Sequence, residues 1–136
     1  GYRYYDTEKK QVLFPFGYGL SYTDFAYGSM KLKGNYPAVT VLVDVTNTGK
    51  MAGKEIVEIY VGKKDSKVER AAKELRGFAK VDLKPGETRT VEISLDKSAF
   101  TYYDENCHDF VTEQGKYEIY AGKSVEDICC QTEMNI

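Results

Sequence analysis

The side chains of this sequence best suited to binding a metal ion are its three cysteines and its single histidine. Cys107 directly precedes His108 and Cys129 directly precedes Cys130, and the chain contains no Cys-x-x-Cys pair. Because adjacent residues on a strand point to opposite faces, neither pair converges easily on one ion. We therefore expect no metal site and no cofactor, and a loop position for His108 rather than a Cys–His nucleophilic pair.

Acid–base catalysis would need two groups positioned together, and the carboxylates of this chain do not suggest such a pair. Asp6, Asp24 and Asp104 are examples, and isolated surface acids are the simpler explanation for them. We expect no catalytic residue within these 136 residues.

A cluster of aromatic residues offers a different chemistry. Tyr102 and Tyr103 follow Phe100 closely, and their rings could stack on sugar rings, which would make the chain a carbohydrate-binding module. The alternative is that the cluster plugs one end of the fold.

The composition is that of an ordinary globular domain with one core. The chain has 136 residues, of which 42% are hydrophobic and 29% charged. A formal net charge of −2 gives no electrostatic reason to expect nucleic acid, and the densest basic stretch, residues 63–67, also holds an acid and a serine. No apolar run approaches the roughly 18 residues that would suggest a membrane span. We expect neither nucleic acid nor a membrane as a partner.

Cysteine usage bears on the cellular compartment. The odd number of cysteines, two of them adjacent, argues against a secreted disulfide framework and favours a reducing, cytoplasmic compartment. The sequence starts at Gly1, and no charged and apolar leader follows it. We therefore expect a fragment of a longer protein, so that a secreted parent remains open.

The elements that must position these residues are predicted to be strands. From about residue 28 onward, short runs of alternating apolar and polar residues are separated by turn signals, a pattern that a helix could not use. The predicted strands cover residues 29–33, 39–45, 57–61, 75–83, 90–95, 117–121 and 127–133. About seven strands with almost no helix predict an all-β fold, an immunoglobulin- or fibronectin type III-like β-sandwich over residues 28–136.

Two turn motifs and one short helical segment are predicted in addition to the strands. Residues 47–49, Asn-Thr-Gly, are expected to turn because Asn and Gly tolerate positive φ. Residues 84–87, Lys-Pro-Gly-Glu, place Pro and Gly at the two central positions of a type II turn. The composition of residues 68–75 favours a short helical turn.

Residues 1–27, here called the aromatic segment, have neither a helix nor a strand period. They hold nine of the 18 aromatic residues, interrupted by Pro and Gly. At about 150–250 Å² per ring, nine rings exceed the roughly 300–600 Å² of a typical monomer's largest apolar patch. We expect an irregular junction that forms an interface with another domain, unless it wraps entirely around its own sandwich. The interface candidates are Tyr2, Tyr4, Tyr5, Phe14, Phe16, Tyr18, Tyr22 and Phe25.

Specific motifs give the chain a family resemblance. The aromatic segment contains Gly-Tyr-Arg-Tyr-Tyr-Asp at 1–6 and Phe-Pro-Phe-Gly-Tyr-Gly-Leu-Ser-Tyr-Thr-Asp-Phe at 14–25, and further blocks follow in order at 45–49, 52–55, 73–81, 83–88 and 115–119. Together these blocks closely resemble the C-terminal fibronectin type III-like domain of family 3 glycoside hydrolases of the β-glucosidase kind. One departure is Ala71 after Arg70, where the family often has Pro.

The resemblance implies a parent enzyme that hydrolyses β-glycosidic bonds with retention, through a carboxylate nucleophile and a carboxylic acid–base. In this family both residues lie in domains N-terminal to this one. The chain would then be a non-catalytic accessory domain that packs against the catalytic domains, and the isolated fragment could self-associate through the uncovered seam. The rival hypothesis is an independent carbohydrate- or protein-binding module.

Overall fold

Strands dominate the computed structural model, which describes residues 23–136. Nine strands occur in this range. They are β1 (Phe25–Asn35), β2 (Ala38–Asn47), β3 (Gly53–Lys63), β4 (Glu74–Leu83), β5 (Thr88–Leu95), β6 (Thr101–Asp104), β7 (Asp109–Thr112), β8 (Lys116–Ser124) and β9 (Asp127–Asn135). A single turn of 3₁₀ helix, Lys97–Phe100, joins β5 to β6.

Seven of these strands form the two sheets of a sandwich. One sheet has the order β1-β2-β5 and the other has the order β4-β3-β8-β9, and every pairing within them is antiparallel. The strands β6 and β7 pair separately as a hairpin. The predicted all-β sandwich of about seven strands is confirmed.

Alternation explains which faces of the strands form the core. The four valines of β2, at positions 39, 41, 43 and 45, are buried, as are Val57, Ile59 and Val61 of β3 and Tyr117, Ile119 and Ala121 of β8. Each of these strands has a neighbouring strand on both sides, and its inward face packs in the core between the two sheets. Burying each large aliphatic side chain stabilises the fold by about 1.5–3 kcal/mol.

The outer face of the four-stranded sheet is also partly covered. Tyr60 pairs with Tyr120 across β3 and β8, and both are buried although the alternation predicts that Tyr60 points away from the core. The chain between β3 and β4, here called the β3–β4 loop (residues 64–73), returns over this face. A Cβ at Gly62 would lie 2.1 Å from the Ala72 carbonyl oxygen, and Lys73 Nζ lies 4.9 Å from the Tyr120 ring centroid.

The two predicted turns form, but for different reasons. Gly86 has φ +79° and the Glu87 N–H donates to the Lys84 carbonyl at 2.9 Å, as a type II turn requires. Asn47 and Gly49 are not among the described residues with positive φ. The Asn47 side chain makes this turn instead, because its Oδ1 accepts from the Gly49 N–H at 2.9 Å.

Three predicted details of the fold are corrected. The first strand begins at Phe25, ahead of the predicted start of the sandwich at residue 28. The residues predicted to form a helical turn, 68–75, lie in the β3–β4 loop and the start of β4. The β6–β7 hairpin was not predicted, because each of its strands has only four residues and shows no clear alternation.

Candidate functional site

Aromatic side chains gather at the end of the sandwich where the β6–β7 hairpin is attached. The 3₁₀ helix that leads there starts at Asp96, whose carboxylate accepts from the Ser98 N–H at 3.0 Å. It delivers Phe100 into the core in edge-to-face contact with Tyr36 and Tyr117, at centroid distances of 5.7 and 5.4 Å. Phe100 is fully buried, so the plug interpretation holds for this member of the aromatic cluster.

A second pair of rings stays outside the core. Tyr103 and Phe110 are cross-strand partners in the hairpin, 49% and 64% exposed respectively. Their rings meet edge-to-face with centroids 5.3 Å apart, a geometry that aromatic pairs prefer. The structure therefore separates the aromatic cluster predicted from the sequence. Phe100 is a buried plug, Tyr102 is half-buried beside Arg70, and Tyr103 is exposed and pairs with Phe110, which the sequence did not indicate.

A groove of about 710 Å³ runs beside the exposed pair; we call it the hairpin groove. Its aromatic wall is formed by the hairpin. Its polar lining consists of Glu74, Arg76, Lys97, Ser98, Thr101 and Asp109. Arg76 Nη2 donates to Glu74 Oε1 at 3.1 Å and to the Thr101 carbonyl at 3.0 Å, which fixes both charges in place. The groove thus combines exposed rings with prepositioned donors and acceptors.

A largely buried ion pair contacts Tyr102, one of the residues that line the groove. The Arg70 guanidinium lies 5.2 Å from the Tyr102 ring centroid, with Nη1 at 3.3 Å from Glu113 Oε1. Glu113 also accepts from the Ser66 hydroxyl and the Lys67 N–H, both at 2.7 Å. These contacts tie the β3–β4 loop to Tyr102 of β6 and to Glu113, which follows β7. The sequence alone does not reveal them, because the partners lie more than 30 residues apart.

The electrostatics of Glu113 follow from this arrangement. Burial by itself would raise the pKa of its carboxyl, but the hydrogen bonds from Lys67 and Ser66 and the charges of Lys63 and Arg70 outweigh it. The net pKa is below the usual value, so Glu113 is ionised near neutral pH and keeps Arg70 paired.

A smaller recess of about 400 Å³ is lined by Glu55, Glu58 and Lys123, among others. Burial raises the pKa of both glutamates, which the sequence analysis did not single out. Each carboxylate accepts a tyrosine hydroxyl, Glu55 from Tyr27 at 3.1 Å and Glu58 from Tyr60. Since these bonds already use the carboxylates, a structural role accounts for the recess.

The predicted interface residues are only partly within the described part of the chain. Tyr2, Tyr4, Tyr5, Phe14, Phe16, Tyr18 and Tyr22 lie outside the described residues. Phe25 is described, and its assignment to an interface with another domain is corrected. It begins β1 with its side chain buried in the sandwich core, so it packs against its own domain.

Two of the other polar residues considered from the sequence, Asp104 and His108, lie at the β6–β7 turn. Asp6 lies outside the described residues, Asp24 is exposed, and Asp104 accepts from the Asn106 N–H at 2.8 Å within the β6–β7 turn. His108 occupies the same turn with φ +56°, as expected for a loop histidine.

The three cysteines occupy two separate places. Cys107 is exposed in the β6–β7 turn, whereas Cys129 and Cys130 lie on β9, where Cys130 Sγ donates to the Gly28 carbonyl at 3.4 Å. Burial raises the pKa of both β9 thiols, which keeps them protonated. Within residues 23–136 no group of three potential metal ligands comes together, and no helix there is long and apolar enough to cross a membrane.

Comparison with known proteins agrees with this architecture. Residues 55–125 match the model of the fibronectin type III-like domain family. The whole chain aligns with thermostable β-glucosidase B from Acetivibrio thermocellus at 46% sequence identity, and the aligned part is 18% of that protein's length. An exo-α-(1→6)-L-arabinopyranosidase from Bifidobacterium breve aligns with 94% of the chain at 46% sequence identity, and the aligned part is 17% of that protein's length.

Solved structures show the same relation. The crystal structure of a GH3 β-glucosidase from Bifidobacterium adolescentis superposes with a TM-score of 0.81 and 39% identity, covering all of this chain and 20% of that one. The chain therefore spans a fifth or less of the relatives that it matches. The family match, the two antiparallel sheets and these superpositions together establish that the chain belongs to the fibronectin type III-like domain family.

Proposed function

We propose that this chain is the non-catalytic C-terminal accessory domain of a retaining family 3 β-glycosidase of the β-glucosidase type. In this role it packs against the catalytic domains of the parent enzyme and stabilises them. Its contribution to carbohydrate metabolism is indirect, through the stability and shape of the enzyme that cleaves the glycosidic bond.

The observation that carries the proposal is the relation of lengths. The chain aligns from end to end with β-glucosidases and still accounts for only 18% of one and 20% of another. A retaining glycosidase needs two carboxyl groups about 5–5.5 Å apart. In the described part of the chain the half-buried glutamates 55 and 58 are bonded to tyrosine hydroxyls, so they are explained without catalysis.

The aromatic segment supplies the surface for packing. Seven aromatic residues precede Phe25, whereas the buried core of the described sandwich consists of residues between 25 and 121. Burial of such rings against a neighbouring domain would stabilise both partners, since each ring contributes about 150–250 Å².

The test compares the complete parent enzyme with a parent truncated before Gly1 and with the isolated 136-residue chain. We expect the chain alone not to hydrolyse 4-nitrophenyl β-D-glucopyranoside. We expect truncation to lower the melting temperature of the remaining domains by about 5 °C or more, because a partner that binds only the folded state is removed.

A matched pair of substitutions in the complete parent sharpens this test. Phe16→Ala removes a ring of the aromatic segment and should lower the melting temperature, whereas Phe78→Ala removes an exposed ring of β4 and should leave it nearly unchanged. A truncated parent that keeps its full melting temperature and activity would contradict the proposal.

A further inference from the structure

We infer that the hairpin groove is a binding subsite for a neutral, β-linked oligosaccharide chain. The choice of a sugar as the occupant rests on the proposed function, in which the parent acts on glycosides. The residues and the geometry of the groove carry the rest.

The exposed rings are not needed to complete the fold. Phe100 already closes this end of the core, with Tyr36 and Tyr117 against it. Tyr103 and Phe110 contact each other, and they leave about half or more of their surface in water. Because cross-strand pairing holds the two rings edge-to-face, at an interplanar angle of 75°, they form a preorganised aromatic wall whose ordering does not have to accompany binding.

A ligand of this groove must offer both apolar and polar groups. The C–H face of a pyranose ring can lie on an aromatic ring, while its hydroxyls both donate and accept hydrogen bonds. The groove answers both needs, since Glu74 and Asp109 accept hydrogen bonds and Arg76 and Lys97 donate them. Within residues 23–136, Lys97 Nζ has no hydrogen-bond or ion-pair partner, so this ammonium group is available.

The charges of the lining select a neutral ligand. Two carboxylates, Glu74 and Asp109, stand against two cations, Arg76 and Lys97, so their formal charges cancel. An anionic or cationic polymer would find no complementary field there.

The same lining argues against a protein as the occupant. The centre of a protein–protein interface is depleted of charged residues, and covering four charges with a partner would remove them from water. A sugar chain in an open groove leaves water access to the charged groups. The volume of about 710 Å³ also falls within the roughly 300–1,000 Å³ range of small-molecule sites.

The experiment titrates the 136-residue chain with cellopentaose and, separately, with laminaripentaose, and follows binding by NMR chemical shifts. We expect saturable shifts of hairpin and 3₁₀-helix resonances with at least one of the two probes. The affinity should be insensitive to added salt because the ligand is uncharged.

The variants locate the site. Tyr103→Ala and Phe110→Ala should each weaken binding by about fivefold to tenfold, as the loss of one aromatic contact implies. Phe78→Ala is the matched control, because this ring is 61% exposed but lies on β4 outside the groove lining. The affinity of this variant for the oligosaccharide should equal that of the unsubstituted chain. Melting curves of all three variants ensure that the fold is retained.

Several outcomes would overturn the inference. They are the absence of saturable shifts with both probes, an equal loss in Phe78→Ala, or tighter, salt-sensitive binding of a polygalacturonate oligosaccharide. Concentration-dependent self-association that is lost in Phe110→Ala, without any response to sugar, would identify a protein interface and also overturn it. None of these results affects the truncation test of the parent, so the two proposals can fail separately.

Discussion

Asn47 illustrates how one polar side chain organises an end of the sandwich. It is fully buried, and its Nδ2 donates to the Met51 and Leu83 carbonyls at 2.8 and 3.0 Å. Its Oδ1 accepts from the Gly49 N–H and from the Thr23 hydroxyl, at 2.9 and 3.0 Å. The side chain therefore links the end of β2 to the end of β4 and to the residues that precede β1.

Replacing this residue should be costly. Asn47→Ala leaves two carbonyls and one N–H without their partner, so we expect the free energy of unfolding to fall by about 2–4 kcal/mol. Asn106→Ala, in the exposed β6–β7 turn, is the control and should change it by less than about 0.5 kcal/mol. Urea denaturation followed by circular dichroism measures both, and equal effects would refute the role assigned to Asn47.

At the scale of elements, the β3–β4 loop depends on a residue from another part of the chain. Glu113 holds Ser66, Lys67 and Arg70, and Arg70 in turn lies against Tyr102 of the hairpin. A loop without regular structure is thus fixed by a carboxylate that precedes β8. The loop and the hairpin should respond together when this carboxylate is altered.

The Glu113→Gln variant should lower the free energy of unfolding at neutral pH by about 1–2 kcal/mol, since charge-assisted bonds become neutral ones. The pKa of Glu113 is lowered in the folded state, so its ionisation stabilises the fold above the ordinary value of 4.5. This contribution is lost as the pH falls through the folded pKa. The difference between variant and unsubstituted chain should therefore shrink below about pH 4.5 in urea titrations at several pH values.

Trypsin provides an independent measure of the same effect. Cleavage within residues 64–73 should be faster in Glu113→Gln, because the loop opens more often. Glu105→Gln changes an exposed carboxylate of the β6–β7 turn and serves as the matched control. Equal cleavage rates in the two variants would show that Glu113 does not hold the loop.

At the scale of the whole molecule, Phe100 connects parts that are otherwise separate. Tyr36 follows β1 of the three-stranded sheet, Tyr117 belongs to β8 of the other sheet, and Phe100 ends the 3₁₀ helix that leads into the hairpin. The Tyr117 hydroxyl lies within hydrogen-bond distance of two carbonyls, that of Glu113 at 2.7 Å and that of Phe100 at 3.2 Å. One buried ring thus joins both sheets and the hairpin that carries the groove.

Two phenylalanines at this end should behave very differently. Phe100→Ala opens a cavity where three elements meet, and we expect a loss of about 3–5 kcal/mol in the free energy of unfolding. Phe110→Ala removes an exposed ring and should lose about 1 kcal/mol or less. Thermal and urea denaturation of the two variants test this contrast, which would be contradicted by similar losses.

The sequence by itself determined the sandwich and its family. Apolar alternation is a local property, so the positions of β2, β3, β5 and β8 followed from it, and the type II turn followed from the backbone preferences of Pro85 and Gly86. Motif order along the chain was sufficient to recognise the family.

Only the tertiary structure decided how residues far apart in the chain meet. Burial of Tyr60 depends on a loop that returns over its sheet, the role of Asn47 on Leu83 at the end of another strand, and the fixing of Arg70 on Glu113. The hairpin groove likewise combines β4, the 3₁₀ helix and two four-residue strands. No local pattern encodes such contacts, because burial and hydrogen-bond partners are set by packing of the whole chain rather than by the neighbours of each residue.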